Sequence, residues 1–494
     1  MSAILSYLSL DNLLFCFIGT AVGIMFGAIP GLTSTMGVAL MLPFTFGMGP
    51  VEAFALLLGI YCGGTFGGSI TAILIRTPGS PASAATVLDG YPLAKQGKAS
   101  KALSMAVTAS AVGGLFSCIV LICVAPQLAK IALKFGPPEY FAVGIFGLSI
   151  VAGLSAGNLK KGILAAAFGL CLTTIGLDPM TGNTRYTFGM VGLMGGISFI
   201  PVLIGVFAIS EVLFNLESRK EQAREEITDL HGERLRLSDL KSNIGNFIRS
   251  AIIGTAIGII PATGSGVAGW ISYNTARNSS KKPELFGNGS LEGLVASETS
   301  NNAVTGGALV PLLTLGIPGD VVTAIMMGAL MLQGLTPGPN LFTQNVDIIN
   351  GIYIMLFISN IFMLLIGLTG IRLFVKVLKI PTQVLMPLVL ILCLVGAYAI
   401  QNSVLDMSIA LLMGIIGYLL RKAEYPLPPL LLGMVLGSII ESNFRRALTI
   451  SLGSLSIFVT RPICLAFLLI SVISCLTPSL QTLYHAFKSR GNAA

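Results

Sequence analysis

The chain has 494 residues, of which 54% are hydrophobic and only 10% charged, where a soluble globular chain carries about 25% charged residues. That balance excludes an ordinary water-soluble domain. The formal net charge is +8, yet the Lys and Arg residues stand singly or in pairs between apolar runs, a positive-inside pattern rather than a nucleic-acid surface. Eight cysteines without CxxC spacing, and His231 and His485 without a helical partner, exclude a disulfide framework and a zinc centre.

Apolar runs of about 16–24 residues, the length that crosses a bilayer as helix, follow one another: Asn12–Ala28, Ala102–Val124, Phe141–Gly157, Val191–Phe214, Ile352–Val375, Pro381–Ile400 and Leu405–Leu420. The first basic residue is Arg76, so the positive n-region of a cleavable signal is missing and the start of the chain is expected outside. A mixed-charge stretch, Glu217–Lys241, reads as a cytoplasmic connector between two membrane halves. We therefore expect a first membrane repeat over residues 1–216, a connector over 217–245 and a second repeat over 246–494.

The halves resemble each other. Gly19-Thr-Ala-Val-Gly-Ile24 recurs as Gly254-Thr-Ala-Ile-Gly-Ile259, and Ile29-Pro30 is matched by Ile260-Pro261. Gly67-Gly68 leads to Thr77-Pro78-Gly79-Ser80, as Gly306-Gly307 leads to Ile317-Pro318-Gly319-Asp320. The loop after the first Pro-Gly element carries Lys95, Lys98 and Lys101, whereas Gln333–Asp347 has no Lys or Arg. By the positive-inside rule the equivalent loops lie on opposite sides, which is the mark of an inverted repeat. Arg445-Arg446 does not fit this count, and Pro426–Leu455 is left as a re-entrant candidate.

Each Pro-Gly element sits inside an apolar stretch, Ser69–Ala85 and Ala308–Met331. Proline removes an N–H and disfavours helix before it, and glycine permits reversal, so two re-entrant hairpins are expected. Free N–H groups at such tips attract anions. The candidate substrate set is Thr33, Ser34, Arg76, Thr77, Pro78, Gly79, Ser80, Pro318, Gly319, Asp320 and Thr323. Arg76 can hold a carboxylate, snorkel, or pair with Asp89; Asp320 can ligate an ion or cap the helix that follows. Thr263, Ser265, Glu298, Asn301 and Asn302 form the candidate cation set, since uncharged oxygens at broken helices suit Na⁺; interhelical hydrogen bonding is the plainer reading of the same residues. No other metal or cofactor is expected.

Three stretches carry a family resemblance: Gly27–Pro43, Gly67–Ala99 and Gly293–Pro339, with Gly136-Pro-Pro-Glu-Tyr-Phe141 and Asn443-Phe-Arg-Arg-Ala-Leu448 in support. They resemble the large membrane subunit of the tripartite tricarboxylate transporters. The resemblance implies an all-α polytopic permease of the bacterial inner membrane, of about 10–12 transmembrane helices. It also implies two partners, a small membrane subunit of about four helices and a periplasmic solute-binding protein that delivers a carboxylate. Import driven by a cation gradient, Na⁺ or H⁺, and an elevator-type movement of the hairpins are the matching expectations. Arg76-Thr77 departs from the uncharged pair common in some relatives, so citrate is not assumed. A stand-alone carrier or channel for organic anions is the alternative. An enzyme is not expected, because GxxxxGK[ST] and HExxH are absent and Asp320 lacks a GxGD context.

Overall fold

The computed structural model describes residues 7–149, 159–217, 233–261, 263–377 and 382–475. The end of the Phe141–Gly157 run, most of the Glu217–Lys241 connector, Lys379, His231 and His485 lie outside the described residues. The chain is almost wholly helical and divides into two compact units, Met1–Ala129 with Leu203–Ile415, and Lys130–Val202 with Ile416–Ala494.

The first unit opens with α1 (Leu10–Ala28), α2 (Ser34–Met41) and α3 (Pro50–Ile75). After a turn come α4 (Thr86–Leu93) and α5 (Ala99–Ala132). Glycines decide how α1 and α3 meet. Gly19, Gly23 and Gly27 recur every fourth residue on α1, as Gly59, Gly63 and Gly67 do on α3. A Cβ on Gly59 would come within 2.7 Å of the Cys16 carbonyl oxygen, and one on Gly23 within 2.7 Å of the Ile60 Cα. The backbones are in contact, the small-residue mode of association that works where no hydrophobic drive exists between helices.

The second half repeats this with α10 (Ile244–Ile259) and α12 (Leu291–Leu315), where Gly254 and Gly258 lie against Ser300, Val304 and Gly307. Both entry helices end at an Ile before Pro, with Ile29 and Ile260 as their C-caps. In that register Gly23 and Gly27 correspond to Gly254 and Gly258. The Gly-Thr-Ala-x-Gly-Ile match in the sequence is therefore one helical turn out of step, because a four-residue glycine period matches itself when slipped by four.

In chain order these pairs are separated by α6 (Pro137–Ser149), α7 (Leu159–Thr173), strands β1 (Gly176–Leu177) and β2 (Thr184–Arg185), α8 (Phe199–Glu217), and the short α9 (Leu237–Ser242). The apolar run Val191–Phe214 is not one helix. Gly192, Gly195 and Gly196 interrupt it, Gly196 at φ 82, and regular helix starts only at Phe199. The remaining helices are α11 (Gly264–Ser279), α13 (Val321–Leu332), α14 (Val346–Val377), α15 (Thr382–Gln401), α16 (Val404–Lys422), α17 (Pro428–Ile450) and α18 (Pro462–Cys475). Among the described residues six helices are long and apolar enough to cross a membrane, with five shorter apolar ones beside them. α12 is long enough but carries the polar run Ser297–Asn302.

In the second unit α17 is continuous over Pro428–Ile450, not a hairpin. Arg445 donates to Asp178 at 2.7 Å and Arg185 to Glu441 at 2.6 Å, with Arg445 and Glu441 3.3 Å apart. The Arg445 hydrogen bond holds the Asp178 carboxyl well below the usual range. Arg445, the misfit of the charge count, thus shares its two carboxylates with Arg185 and is not a lone cation. Phe141 packs 5.1 Å from Phe444, joining the two supporting motifs of the sequence.

The connector returns to α5 through Lys101, which donates to Glu233 at 3.0 Å and Asp239 at 3.1 Å. The Lys101 hydrogen bond lowers the Glu233 carboxyl; for Asp239 burial raises it, but the Arg236 N–H and Lys101 outweigh that and the net direction is down. A depressed acid stabilises the fold above its unfolded value and loses that contribution as pH falls through the folded one. The clamp therefore holds at neutral pH and opens below the ordinary carboxylate range. Hydrogen exchange over residues 233–243, normalised to intrinsic rates, is expected to rise there, and Lys101→Ala to remove the step.

Candidate functional site

Both Pro-Gly elements end a helix rather than kink it, and they do so in the same way. α3 closes on Arg76 at φ 56, ψ 25, and α12 on Gly316 at φ 70, ψ 25. The N–H of Thr77 reaches back to Thr71 O, as that of Ile317 reaches to Pro311 O. Ser80 (φ −151, ψ 164) and Asp320 (φ −150, ψ −175) are extended at matching positions. Ser83 Oγ then donates to Ser80 O at 3.2 Å, and Thr323 Oγ1 to Asp320 O at 2.9 Å. Gly79 and Gly319 lie flat on the preceding helix: a Cβ on the first would come within 2.7 Å of the Gly68 Cα, and on the second within 2.7 Å of Ala308 O.

The two turns are interleaved. α2 packs on α13, while α11 packs on the single 3-10 turn Pro81–Ser83. Tyr61 of α3 donates its hydroxyl to Asp320, and Asn301, at the corresponding place on α12, donates to Ala82 O at 3.3 Å. Asp320 is an N-cap as well, accepting from the Thr323 N–H at 2.8 Å in a capping box. A carboxylate at the positive end of α13 is stabilised there. Ser80 at the matching position has a buried hydroxyl without a hydrogen-bond partner.

The candidate substrate residues divide by exposure. Gly79, Ser80, Pro318, Gly319 and Thr323 are buried, and Thr77 and Asp320 are partly so. Pro78 and Arg76 are exposed, and the Arg76 guanidinium stands 5.8 Å from the centre of the Tyr91 ring. Thr33 caps α2 by accepting from the Met36 N–H at 3.2 Å, and Ser34 is buried against Gly64. A non-glycine residue in the left-handed region costs about 1 kcal/mol relative to glycine, and an exposed cation–π contact returns about 0.5–1 kcal/mol. Arg76→Gly is therefore expected to leave unfolding in detergent within about 1 kcal/mol of the parent. An uptake KM that rises in this variant without loss of stability assigns Arg76 to the substrate.

The cation candidates fall in two places. Thr263 gives its hydroxyl to Ile257 O at 2.6 Å, closing the end of α10, and Ser265 is partly exposed at the start of α11. Glu298, Asn301 and Asn302 are fully buried on α12. Asn302 donates to Asn301 at 2.8 Å, and Asn302 Oδ1 and Thr299 Oγ1 are buried without hydrogen-bond partners. Glu298 accepts from Ser69, Thr86 and Ser110, none of which the sequence pattern singled out. Asp89 was named only as a possible partner of Arg76. It does not pair with Arg76 but accepts from the N–H groups of Gly287, Gly289 and Ser290 at 2.8, 2.9 and 2.8 Å. Gly287 and Gly289, at φ 87 and 104, turn those groups inward as a nest at the start of α12.

The model of the tripartite tricarboxylate transporter TctA family matches residues 13–432. The chain belongs to that family. It is accordingly a TctA-family membrane component of a tricarboxylate transport system with other components, a transporter rather than an enzyme family, and a multi-pass membrane protein. It is 39% identical over 476 residues to an uncharacterized 52.8 kDa protein in the TAR-I ttuC' 3' region of Agrobacterium vitis, across 95% of this chain and 94% of that protein. A second uncharacterized protein of that organism, in the TAR-II ttuC' 3' region, is 40% identical over 232 residues, covering 46% of this chain and 96% of its own length. No solved structure matches the chain.

Proposed function

We propose that this TctA-family chain is the permease of a binding-protein-dependent secondary transporter in the bacterial inner membrane, importing a tricarboxylate- or dicarboxylate-like anion on a cation gradient, with Na⁺ as the coupling ion. The observation that carries this reading is the pair of Pro-Gly turns, alike in backbone and each packed on elements of the other half. Irregular backbone at membrane depth is tolerated where it lines a site, and paired broken helices at a repeat interface are where carriers bind substrate and ion. The Lys-bearing segment after the first turn and the segment without Lys or Arg after the second support an inverted repeat. An elevator movement, with the two turns carrying substrate as re-entrant hairpins, accords with that arrangement.

Substrate contacts are assigned to the turns around Ser80 and Asp320, and the cation to the buried face of α12. A periplasmic solute-binding protein and a small membrane subunit complete the system. Reconstitution tests this: labelled carboxylate uptake into liposomes is expected to require the small subunit, an inward Na⁺ gradient and the loaded binding protein together. Uptake without the binding protein would make the chain a stand-alone carrier.

A further inference from the structure

Helices far apart in the chain send oxygens to one buried point. Ser69 Oγ on α3 donates to Glu298 Oε1 at 2.6 Å, Thr86 on α4 donates to the same oxygen, and Ser110 Oγ on α5 donates to Oε2 at 2.9 Å. Ser297 Oγ lies 3.3 Å from the Thr86 hydroxyl. All five residues have 0% exposure. Among the described residues Glu298 has no ion-pair partner.

The contacts suit an ionised carboxylate. An ionised carboxylate only accepts, whereas a protonated one must donate a hydrogen of its own. Three hydroxyls turned onto its two oxygens match the ionised form. A buried carboxylate without a counter-charge is strongly unfavourable, so the arrangement calls for a cation that the side chains do not supply. A hydroxyl that has given its hydrogen keeps lone pairs for such an ion. The donor set is oxygen only and bears a single negative charge. It lacks the nitrogen and sulfur zinc prefers and the several carboxylates calcium recruits. Among the described residues no group of three His, Cys, Asp or Glu side chains gathers anywhere.

We propose that Glu298, with the hydroxyls of Ser69, Thr86, Ser110 and Ser297, binds one sodium ion. This rests on the cation-coupled reading above and names the residues that hold the ion. It also places the ion directly behind the first Pro-Gly turn. Gly68, the neighbour of Ser69, accepts the Gly79 N–H at 3.2 Å, and Thr86 opens the helix that leaves the turn. Sodium joins α3, α4 and α5 to α12, so its arrival fixes the seat on which Pro78-Gly79 rests.

The test reads binding before transport. Purified chain in nanodiscs is titrated with NaCl against choline chloride at constant ionic strength, and thermal unfolding is followed. The parent is expected to show a saturable, sodium-specific rise. Ser110→Ala is expected to raise the half-saturating concentration about tenfold, and Glu298→Gln to abolish the response while folding in choline as well as the parent. Should Glu298→Gln not fold, Ser69→Ala and Ser110→Ala carry the decision. A sodium response unchanged in the hydroxyl variants overturns the site. A parent indifferent to sodium, with a pH response that Glu298→Gln removes, makes it a proton site and overturns the sodium assignment. Uptake separates the two levels: uptake that ignores every cation gradient ends the coupled reading, whereas sodium-driven uptake equal in parent and Glu298→Gln ends the site alone.

Discussion

Gly79→Ala and Gly319→Ala are expected to abolish uptake and to remove most of the folded protein from detergent extracts. At each position the new methyl meets helix backbone, Gly68 of α3 and Gly27 of α1 in one case and Ala308 of α12 in the other. Overpacking against side chains costs about 1–3 kcal/mol. Backbone atoms within helices cannot rotate away, so the cost here is expected at or above the top of that range, about 3 kcal/mol. Gly245→Ala provides the comparison: it lies in α10 with no atom within 4 Å of the added carbon. That variant is expected to extract as well as the parent or better, since alanine favours helix. Monodisperse yield and unfolding temperature check the first effect, and uptake per folded molecule the second.

Asp89→Ala is expected to be the most damaging change outside the turns. Its carboxylate answers three N–H groups through one oxygen, Oδ1. Removing it strands donors at the start of a 25-residue helix, and each buried N–H left without a partner costs about 1–3 kcal/mol. Asp89→Asn separates the two parts of that cost. The amide oxygen can stand where Oδ1 stands, so the hydrogen bonds persist and only the charge at the helix N-terminus is lost, about 1 kcal/mol. Exchange of the amides at Gly287, Gly289 and Ser290 should accelerate strongly in the alanine variant and little in the asparagine one. Equal acceleration in both would mean that charge, rather than geometry, holds the turn.

Much of the architecture was legible because it is written locally. A Pro-Gly pair inside an apolar run has few options, and the helix does stop at Ile75 and at Leu315. The polar run Ser297–Asn302 announced itself by being costly at that depth. What was hidden depends on distance. Ser69, Thr86 and Ser110 are ordinary small residues of apolar helices, and only the fold turns them toward Glu298. Asp89 looked like a loop acid beside lysines, because its partners are backbone groups some 200 positions away. The repeat was read one turn out of step, since the glycine period of α1 disguises its own register, while the Ile-Pro caps give it correctly. The glycines in Val191–Phe214 were visible, but hydropathy alone does not register that they break a helix.

The contact between α1 and α3 has a mechanical consequence. Where two helices meet through side chains, rotamer changes let them shear by small amounts. Here carbonyls face Cα atoms along helices of 19 and 26 residues, and nothing between them can yield. The pair behaves as a girder. Compliance in this unit must therefore reside where helices are interrupted, Arg76–Ala85 and Gly316–Asp320 among those places, the segments that a carrier would need to bend.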